Sequence, residues 1–468
     1  MTESPSRLDR LTPERRALLA KRLRAIAEGT AAPAAAAATV AGATDAEPAG
    51  ETARAPAPAA RAAIADAGSE RAAAGPGAPA TVAPPPALPA LPALPATTAA
   101  LWRSLVESGS REAERLATAA DLVADAAREP ELDGQAVGFV TAALRRLGAL
   151  QRRGDVVTVA GLLSGLGIQP AYRKALRRWL EMLAEEGVVA RQGYLGHGDR
   201  YEVLLPLSEP LPGDLLLDPA QRDSYGENLV AVLTGKRHPL EFYLAGGSSS
   251  SVETSYRETP IFRYCNGVAA AILGVQVAAL PPGRRFRLLE VGAGTGGTTA
   301  SLLPLLPREA TEFVFTDVSK FFTGLGAQKF GDYPFVRYGE LDIERDPASQ
   351  GYPAASCDWV VAAHVLHATR NVQETLRHVR RLLAPGGVLL LLEETRYQRK
   401  YHFSMGFLPG FDRFEDYGLR PLHPLLSAAQ WSAALQAGGF AEVNSCTPPG
   451  SAAATLGVDV LLARAEEH

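Results

Sequence analysis

The chain has few of the residues that build metal sites and disulfide frameworks. Its 468 residues include only three cysteines, Cys265, Cys357 and Cys446, and none belongs to a C-x-x-C pair. Neither a structural zinc site nor a disulfide scaffold is therefore predicted, and we expect no metal. Basic charge is also not in excess, because 47 Lys and Arg face 51 Asp and Glu, which gives a net charge of −4 and a pI near 6.1. This balance argues against nucleic acid as a partner.

Long apolar runs are also scarce. No apolar h-region follows the basic residues near the N-terminus, so a secretory signal is not predicted. No apolar stretch is expected to reach membrane-spanning length. We therefore expect a cytoplasmic protein without a membrane partner.

The first hundred residues predict a recruitment segment. Residues 1–29 contain one amphipathic helix, with Thr12 as N-cap and Pro13 at the first helical position. So short a helix cannot bury its apolar stripe alone, which favours a docking role over a frayed leader. Residues 30–98 are Ala, Pro, Gly and Thr with almost no large apolar side chains, which predicts a disordered linker.

Residues 99–254 are predicted to be an accessory subdomain, mostly helical. Helical spacing of apolar residues covers 101–127 and 134–150, and the next fifty residues read as helix, turn, helix and a two-stranded wing. This winged-helix outline leaves DNA binding open, because the second helix carries Arg173, Lys174, Arg177 and Arg178. The acidic chain favours the alternative, a structural module or lid.

From residue 255 to 468 the pattern predicts an α/β core. Strands are predicted at 286–291, 312–316, 335–341, 357–362, 386–392, 440–446 and 457–464, with helices in most gaps. Such alternation predicts a largely parallel sheet with helices on both faces.

The most informative motif follows the first of these strands. Residues 288–297 read Leu-Leu-Glu-Val-Gly-Ala-Gly-Thr-Gly-Gly, so Glu290 ends the strand and glycines at 292, 294 and 296 form a turn before a helix. Glycines permit a sharp bend and the close approach of a ligand, at the strand end where open α/β sheets bind small molecules. The run also satisfies G-x-G-x-x-G, and Asp317 lies where a dinucleotide-binding protein has its ribose acid, so that reading stays open.

Four further features bear on the ligand. Asp317 follows the second strand and can accept hydrogen bonds from both ribose hydroxyls. Asp342 follows the third strand and can accept a hydrogen bond from the exocyclic amine of adenine, while Ile343 packs on the adenine ring. The fourth strand runs into a segment with two histidines, His364 and His367. A Pro-Gly-Gly turn precedes a strongly apolar strand that ends in Glu393 and Glu394.

Together these features resemble class I (Rossmann-like) S-adenosylmethionine-dependent methyltransferases. The resemblance is closer to the methyltransferase domains of modular polyketide synthases and polyketide–nonribosomal peptide hybrids, and it spans roughly residues 225–445. The segments that carry it are Tyr256 to Pro260, Glu290 to Thr299, Tyr333 to Tyr338, Leu341 to Glu344, Leu366 to Arg370 and Leu382 to Gly387.

The resemblance implies a role for each motif. The cofactor would be S-adenosylmethionine, held by Tyr256, Glu290, Gly292, Gly294, Gly296, Asp317, Asp342 and Ile343. His367 would be the catalytic base and Glu393 its orienting partner, with Glu394 as the competing choice. His364, Phe411 and Arg413 would line the substrate pocket. The helical region before the core would be a lid, and the partner an acyl carrier protein or synthase module in secondary metabolism such as antibiotic biosynthesis.

Two departures from the family leave the acceptor atom open. The family usually has asparagine where this chain has His364. Its carbon-methylating members tend to carry Gly-Trp-Trp where this chain reads Gly410-Phe411-Asp412 before Arg413. The expected acceptor is the α-carbon of a carrier-bound β-ketoacyl chain, and the alternative is an oxygen of a hydroxyl, enol or carboxyl group.

Two other classes remain less favoured. An NAD(P)-dependent reductase of this fold needs a Tyr/Lys pair after the fourth strand, and residues 371–383 have neither. A non-catalytic scaffold would not need His367 and Glu393.

Overall fold

The computed structural model describes residues 98–193, 200–209, 211, 214, 217–239, 259–408 and 410–466. The predicted docking helix, the linker up to residue 97 and Tyr256 lie outside these residues. By internal packing the described chain forms two units: residues 127–239 with 398–408, and residues 98–126 with 259–397 and 410–466.

Eleven α-helices lie within the described residues. They are α1 Ala99–Leu116, α2 Ala120–Arg146, α3 Val159–Gly165, α4 Arg173–Glu185, α5 Pro219–Leu233, α6 Pro260–Ala278, α7 Gly297–Leu302, α8 Lys320–Lys329, α9 Val372–Leu382, α10 Ala428–Ala437 and α11 Ala452–Thr455. The strands are β1 Val156–Thr158, β2 Val189–Gln192, β3 Arg200–Val203, β4 Phe286–Val291, β5 Thr311–Asp317, β6 Val336–Glu340, β7 Cys357–Ala363, β8 Leu383–Glu394, β9 Phe440–Ser445 and β10 Val458–Ala465.

The smaller unit contains the predicted winged-helix outline. Its three-stranded antiparallel sheet has the order β1–β3–β2, and α3 and α4 lie between β1 and β2 in the chain. The inner face of α4 buries Leu176, Trp179 and Leu183. Arg178, one of its four basic residues, is also buried at 2% exposure, so it cannot contact a phosphate backbone. This burial weakens the DNA-binding reading.

A short segment from far along the chain completes this unit. The backbone carbonyl of His402 accepts a 3.0 Å hydrogen bond from Trp179 Nε1, and Arg399 donates to Glu185 and Glu186 at 2.7 and 2.6 Å. Phe407 joins the same buried cluster. The packing therefore groups 398–408 with the accessory helices, and 98–126 with the core. The predicted domain boundaries, 99–254 and 255–468, assign both of these segments differently. Those boundaries stay a prediction.

The larger unit is built on a seven-stranded sheet of order β6–β5–β4–β7–β8–β10–β9. The strands from β6 to β8 are parallel, and β10 runs antiparallel to both β8 and β9. All seven predicted strands are present, so the predicted sheet is confirmed. Because β4 to β8 share one direction, their carboxyl ends, which carry the predicted site residues, meet at one edge.

One helix corrects an expectation from the sequence. Among the described residues, α6 is long and apolar enough to cross a membrane, whereas no such stretch was predicted. Its apolar character has another cause here, because Ile272 and Leu273 are buried in one cluster with Trp102 and Leu105 of α1 and with the sheet. Gly109 of α1 permits this packing, since an added Cβ would lie 2.8 Å from Ile272.

Candidate active site

The glycine turn joins β4 to α7, and its three glycines have different surroundings. Gly292, Gly294 and Gly296 have φ values of 61°, 55° and 73°, a region that strains most side chains. An added Cβ would clash with Val365 at Gly292 and with Phe330 at Gly296, whereas at Gly294 it meets no side chain. Close packing by the protein itself therefore requires two of these glycines, and Gly294 leaves a face open to a ligand.

Glu290 is a buried acid beneath this turn. Its side chain is 1% exposed and accepts a 2.5 Å hydrogen bond from Thr299 Oγ1, while its backbone carbonyl accepts from Thr316 Oγ1 at 2.6 Å. Burial raises the pKa of Glu290 to about 8, although the Thr299 hydroxyl opposes the shift. Glu290 is therefore mostly protonated at neutral pH, and a nearby cation would favour its ionised form.

The other two predicted acids lie at the ends of β5 and β6. Asp317 is buried and accepts from the backbone N–H groups of Gly294 at 3.0 Å and Ser319 at 2.8 Å. Burial raises the pKa of Asp317, and these hydrogen bonds oppose the rise. Asp342 is half-buried and accepts from the N–H of Glu344 at 3.0 Å, and Ile343 beside it is buried. Asp317 thus links the end of β5 to the glycine turn through a hydrogen bond.

A cavity of about 280 Å³ opens at this edge. Its lining consists of Phe262, Glu290, Gly292, Ala293, Gly294, Thr295, Gly297, Thr298, Phe322, Ala363 and His364. The cavity thus brings together four of the predicted site residues, among them His364. Gly296, Asp317, Asp342 and Ile343 are not among the lining residues.

His367 and Glu393 form a buried pair. His367 Nδ1 lies 2.5 Å from Glu393 Oε2, and the other carboxylate oxygen accepts from the N–H of Leu366 at 2.8 Å. The side chain of Glu393 is fully buried and that of His367 is 10% exposed. Burial lowers the pKa of His367, but the Glu393 carboxylate more than compensates and raises it. A carboxylate on Nδ1 fixes the neutral tautomer that leaves the Nε2 lone pair available as a proton acceptor.

A second pair lies beside the first. His364 Nδ1 lies 3.1 Å from Glu394 Oε2, and the ring of Phe262 packs edge-on against the imidazole with centroids 4.9 Å apart. Burial acts against both charges, yet their attraction raises the pKa of His364 and lowers that of Glu394 to about 2. Glu393 is thus the hydrogen-bonded partner of His367, whereas Glu394 lies nearer to His364 and 3.6 Å from His367 Nδ1.

Arg420 is a site residue that the sequence analysis missed. Its guanidinium is buried and donates to the backbone carbonyls of His367 and Thr369, both at 2.7 Å, and to Asp416 at 2.5 Å. The turn that carries His367 is thus held from a segment about fifty residues downstream. No motif marks Arg420, because its role depends on where the later loop returns to the sheet edge.

Phe411 and Arg413 lie elsewhere. The ring of Phe411 is buried 6.5 Å from that of Tyr397, and Arg413 makes a 3.2 Å ion pair with Glu344. Neither is among the described residues that line the cavity. Their assignment to the substrate pocket stays a prediction.

The ligand atoms of His367, Glu393 and Glu394 lie within 4.8 Å of one another, a spacing that a metal ion can use. The 2.5 Å hydrogen bond between His367 and Glu393 already occupies the facing atoms of that pair. The expectation of no metal stays a prediction.

Comparison with known proteins places the chain in one family. A family model described as a methyltransferase domain matches residues 289–389. Polyketide synthase ThaG of Burkholderia thailandensis is 35% identical over 314 residues, which are 65% of this chain and 6% of that protein. The chain spans only 5 to 9% of the curated relatives that it matches.

Solved structures agree with this result. The CurJ carbon methyltransferase is 32% identical with a TM-score of 0.69, over 78% of this chain and 99% of that one. The CMeT domain of the citrinin polyketide synthase is 25% identical with a TM-score of 0.59, over 77% and 98% of the two chains. The methyltransferase-type sheet predicted from the sequence is confirmed.

Proposed function

The chain belongs to the S-adenosylmethionine-dependent methyltransferases of polyketide synthase type, and we propose that it methylates the α-carbon of a β-ketoacyl chain on the phosphopantetheine arm of a carrier protein. The reductase and scaffold readings are thereby set aside. The observation that carries the proposal is the buried His367–Glu393 pair at the edge where the glycine turn also lies. Resemblance to carbon methyltransferases supports a carbon acceptor.

The cofactor residues would work as a set. The open face at Gly294 and the buried acid Glu290 fit a cationic ligand, which gains an ion pair as Glu290 loses its proton. Asp317 would hold the ribose with its remaining lone pairs, and Asp342 with Ile343 the adenine. Tyr256 would close over the cofactor. The bound cofactor supplies an electrophilic methyl group on a sulfonium sulfur.

His367 would activate the acceptor. Its Nε2 would take the α-proton, and the electron pair of the broken C–H bond would form an enolate. The enolate carbon would then bond to the methyl carbon as the methyl–sulfur bond breaks and its electron pair stays on sulfur, which leaves S-adenosylhomocysteine as the second product. Glu393 keeps the proton on Nδ1 and stabilises the imidazolium that forms, since the carboxylate lies 2.5 Å from that nitrogen. His367 afterwards returns its proton to solvent.

Oxygen methylation is the second candidate. His364 faces the cavity where the family usually has asparagine, and a second histidine suits removal of a hydroxyl proton. This acceptor would be a hydroxyl, enol or carboxyl oxygen of the intermediate or of a released product.

Intact-protein mass spectrometry separates these acceptors. The protein is offered S-adenosylmethionine with matched β-ketoacyl and β-hydroxyacyl carrier proteins. We expect one methyl on the ketoacyl form, carbon-bound after hydrolysis of the thioester. A gain on the hydroxyacyl form alone would make the protein an O-methyltransferase, and a gain on neither would contradict a carrier-bound substrate.

The remaining proposals concern the partner, the cellular location and the roles of the two N-terminal segments. The polyketide synthases among the relatives support an acyl carrier protein or synthase module as partner. We place this work in the cytoplasm, with residues 1–29 as a docking helix and residues 99–254 as an accessory lid.

A further inference from the structure

Two histidine–glutamate pairs lie side by side at one sheet edge, but the proposed reaction needs only one base. His364 and His367 follow β7, and their partners Glu393 and Glu394 end the neighbouring strand β8. His367 has partners at its ring Nδ1, its backbone N–H and its carbonyl. The backbone N–H of His364 is also bonded, but neither of its ring nitrogens has a partner of hydrogen-bonding geometry among the described residues.

The His364 ring is nine-tenths buried, and its contacts with the described residues fall short of hydrogen-bonding geometry. Its side chain is 10% exposed and lines the cavity, together with Glu290 and the glycine turn. Within the described chain neither ring nitrogen has a partner of hydrogen-bonding geometry, although Nδ1 lies at ion-pair distance from Glu394. A buried polar group without such a partner is costly unless a ligand supplies one. Nδ1 lies 3.1 Å from the Glu394 carboxylate and Cys265 also interacts with the ring, so Nε2 is the nitrogen that we assign to a ligand.

The backbone conformation at His364 also restricts which side chains fit at this position. Its φ is 55°, a left-handed conformation that side chains other than glycine rarely adopt, and its N–H donates to the carbonyl of Leu392 at 2.8 Å. Asparagine, aspartate and histidine tolerate this region better than other residues. Strained residues of this kind concentrate at functional sites.

We propose that His364, paired with Glu394, donates a hydrogen bond from Nε2 to the carbonyl oxygen of the acceptor as the enolate forms. This inference rests on the proposed carbon methylation. The donor neither gains nor loses a proton overall: it stabilises the negative charge that appears on oxygen when His367 removes the α-proton. The net charge of the His364–Glu394 pair is zero, so it does not repel a sulfonium cofactor.

The titratable neighbours act differently on the two histidines. His364 faces Glu394 from β8, Cys265 from α6 and His367 from the turn, and Glu290 of β4 lines the same cavity. Carboxylates raise the pKa of both histidines, Glu394 that of His364 and Glu393 that of His367, and the positive charge of His364 opposes the rise at His367. The charge of His364 thereby favours the neutral form of its neighbour, which is the form that acts as a base.

The test compares single-turnover methyl transfer to β-ketoacyl carrier protein at saturating cofactor. His364→Ala removes the donor and should slow transfer ~10²–10³-fold, as loss of an oxyanion donor does in other enzymes. His364→Asn keeps an N–H donor and suits the left-handed backbone, so it should retain more activity than alanine. Calorimetry gives the affinity of both variants for S-adenosylmethionine, and saturating cofactor keeps any change in that affinity out of the measured rates.

A pH profile separates this role from a structural one. Glu394→Gln removes the carboxylate that raises the pKa of His364, so the alkaline limb of the rate profile should move to lower pH. Glu442→Gln on β9 makes the same chemical change at a half-exposed residue and should leave the profile unmoved. A wild-type transfer rate in His364→Ala, or an unmoved limb in Glu394→Gln, would overturn the inference.

The wild type distinguishes failure of the inference from failure of the proposed function. If the wild type methylates the ketoacyl form and the His364 variants match it, only the inference falls. If the wild type methylates no ketoacyl acceptor, the proposed function falls and the enolate donor with it.

Discussion

Glu290 at the end of β4 and Glu394 at the end of β8 are buried acids at the same sheet edge with opposite protonation. The pKa of Glu290 is raised to about 8, and that of Glu394 is lowered to about 2. Among the described residues, the Glu290 carboxyl has the Thr299 hydroxyl as its hydrogen-bond partner, whereas Glu394 faces His364. Burial alone favours the neutral acid and a buried cation reverses this preference, so the neighbours decide the charge.

The comparison divides the edge into two halves. The cofactor half, built on the glycine turn, Glu290 and Asp317, contains acids whose pKa values burial raises. The acceptor half, built on the two histidine–glutamate pairs, is already charge-paired and suits proton transfer. Variants in one half should therefore leave the task of the other half intact.

The largest expected effect comes from His367→Ala in the acceptor half. Loss of the base should slow methyl transfer ~10²–10⁴-fold, the usual contribution of general acid–base catalysis. Binding of S-adenosylmethionine, measured by calorimetry, should change little. Near-normal turnover would show that another group is the base.

Arg420→Met tests how strongly Arg420 stabilises the turn that carries His367 in the acceptor half. The change removes the donors to the carbonyls of His367 and Thr369 and leaves the buried Asp416 carboxylate without its guanidinium. Breaking a buried pair in this way costs about 3–5 kcal/mol, which denaturant unfolding would detect. A loss below about 1 kcal/mol would mean that the clamp contributes no more than an exposed ion pair.

Asp317→Ala tests the cofactor half. It removes the acceptor of the Gly294 N–H bond and the proposed ribose partner. We expect S-adenosylmethionine to bind ~10–100-fold more weakly, which corresponds to one or two lost hydrogen bonds to a charged group. Unchanged affinity would contradict the ribose assignment.

The pKa of Glu290 gives a pH-dependent prediction. Below pH 8 Glu290 carries a proton that a cationic ligand must displace, so cofactor affinity should rise with pH and level off above about pH 8. The slope attributable to one proton is at most about tenfold per pH unit. Glu290→Gln should remove this part of the slope. Because the ionisation of the cofactor itself is common to both proteins, the difference between them reports Glu290.

The smallest expected effect is that of a chelator. His367, Glu393 and Glu394 have metal-like spacing, but their pairing assigns them to proton transfer. EDTA should therefore leave methyl transfer unchanged. Activity that is lost with EDTA and restored by a divalent cation would assign the three residues to a metal.

The sequence predicted the sheet better than the helices around it. Seven strands were placed because apolar runs between turn signals leave little choice. The predicted helical segment 101–127 is present as two helices: the chain turns near Thr118, whose hydroxyl donates to the carbonyl of Arg115, and α2 then continues through Pro130. Tertiary packing there overrides local signals.

The same limit applies to the site. The motifs marked Glu290, Asp317 and His367 because these residues follow strands and glycines. Nothing local marked Arg420, or separated Glu393 from Glu394, because their roles depend on which histidine each one meets. Residues 398–408 pack within the smaller unit. This placement likewise depends on long-range contacts, such as the hydrogen bond from Trp179 to the carbonyl of His402.

The most direct test of the two-half account is single-turnover methyl transfer by Asp317→Ala and His367→Ala across a range of S-adenosylmethionine concentrations. We expect saturating cofactor to restore the methyl-transfer rate of Asp317→Ala to nearly that of the wild type and to leave that of His367→Ala low. Recovery of His367→Ala at high cofactor, or a rate of Asp317→Ala that stays low at saturation, would contradict the division between a cofactor half and an acceptor half.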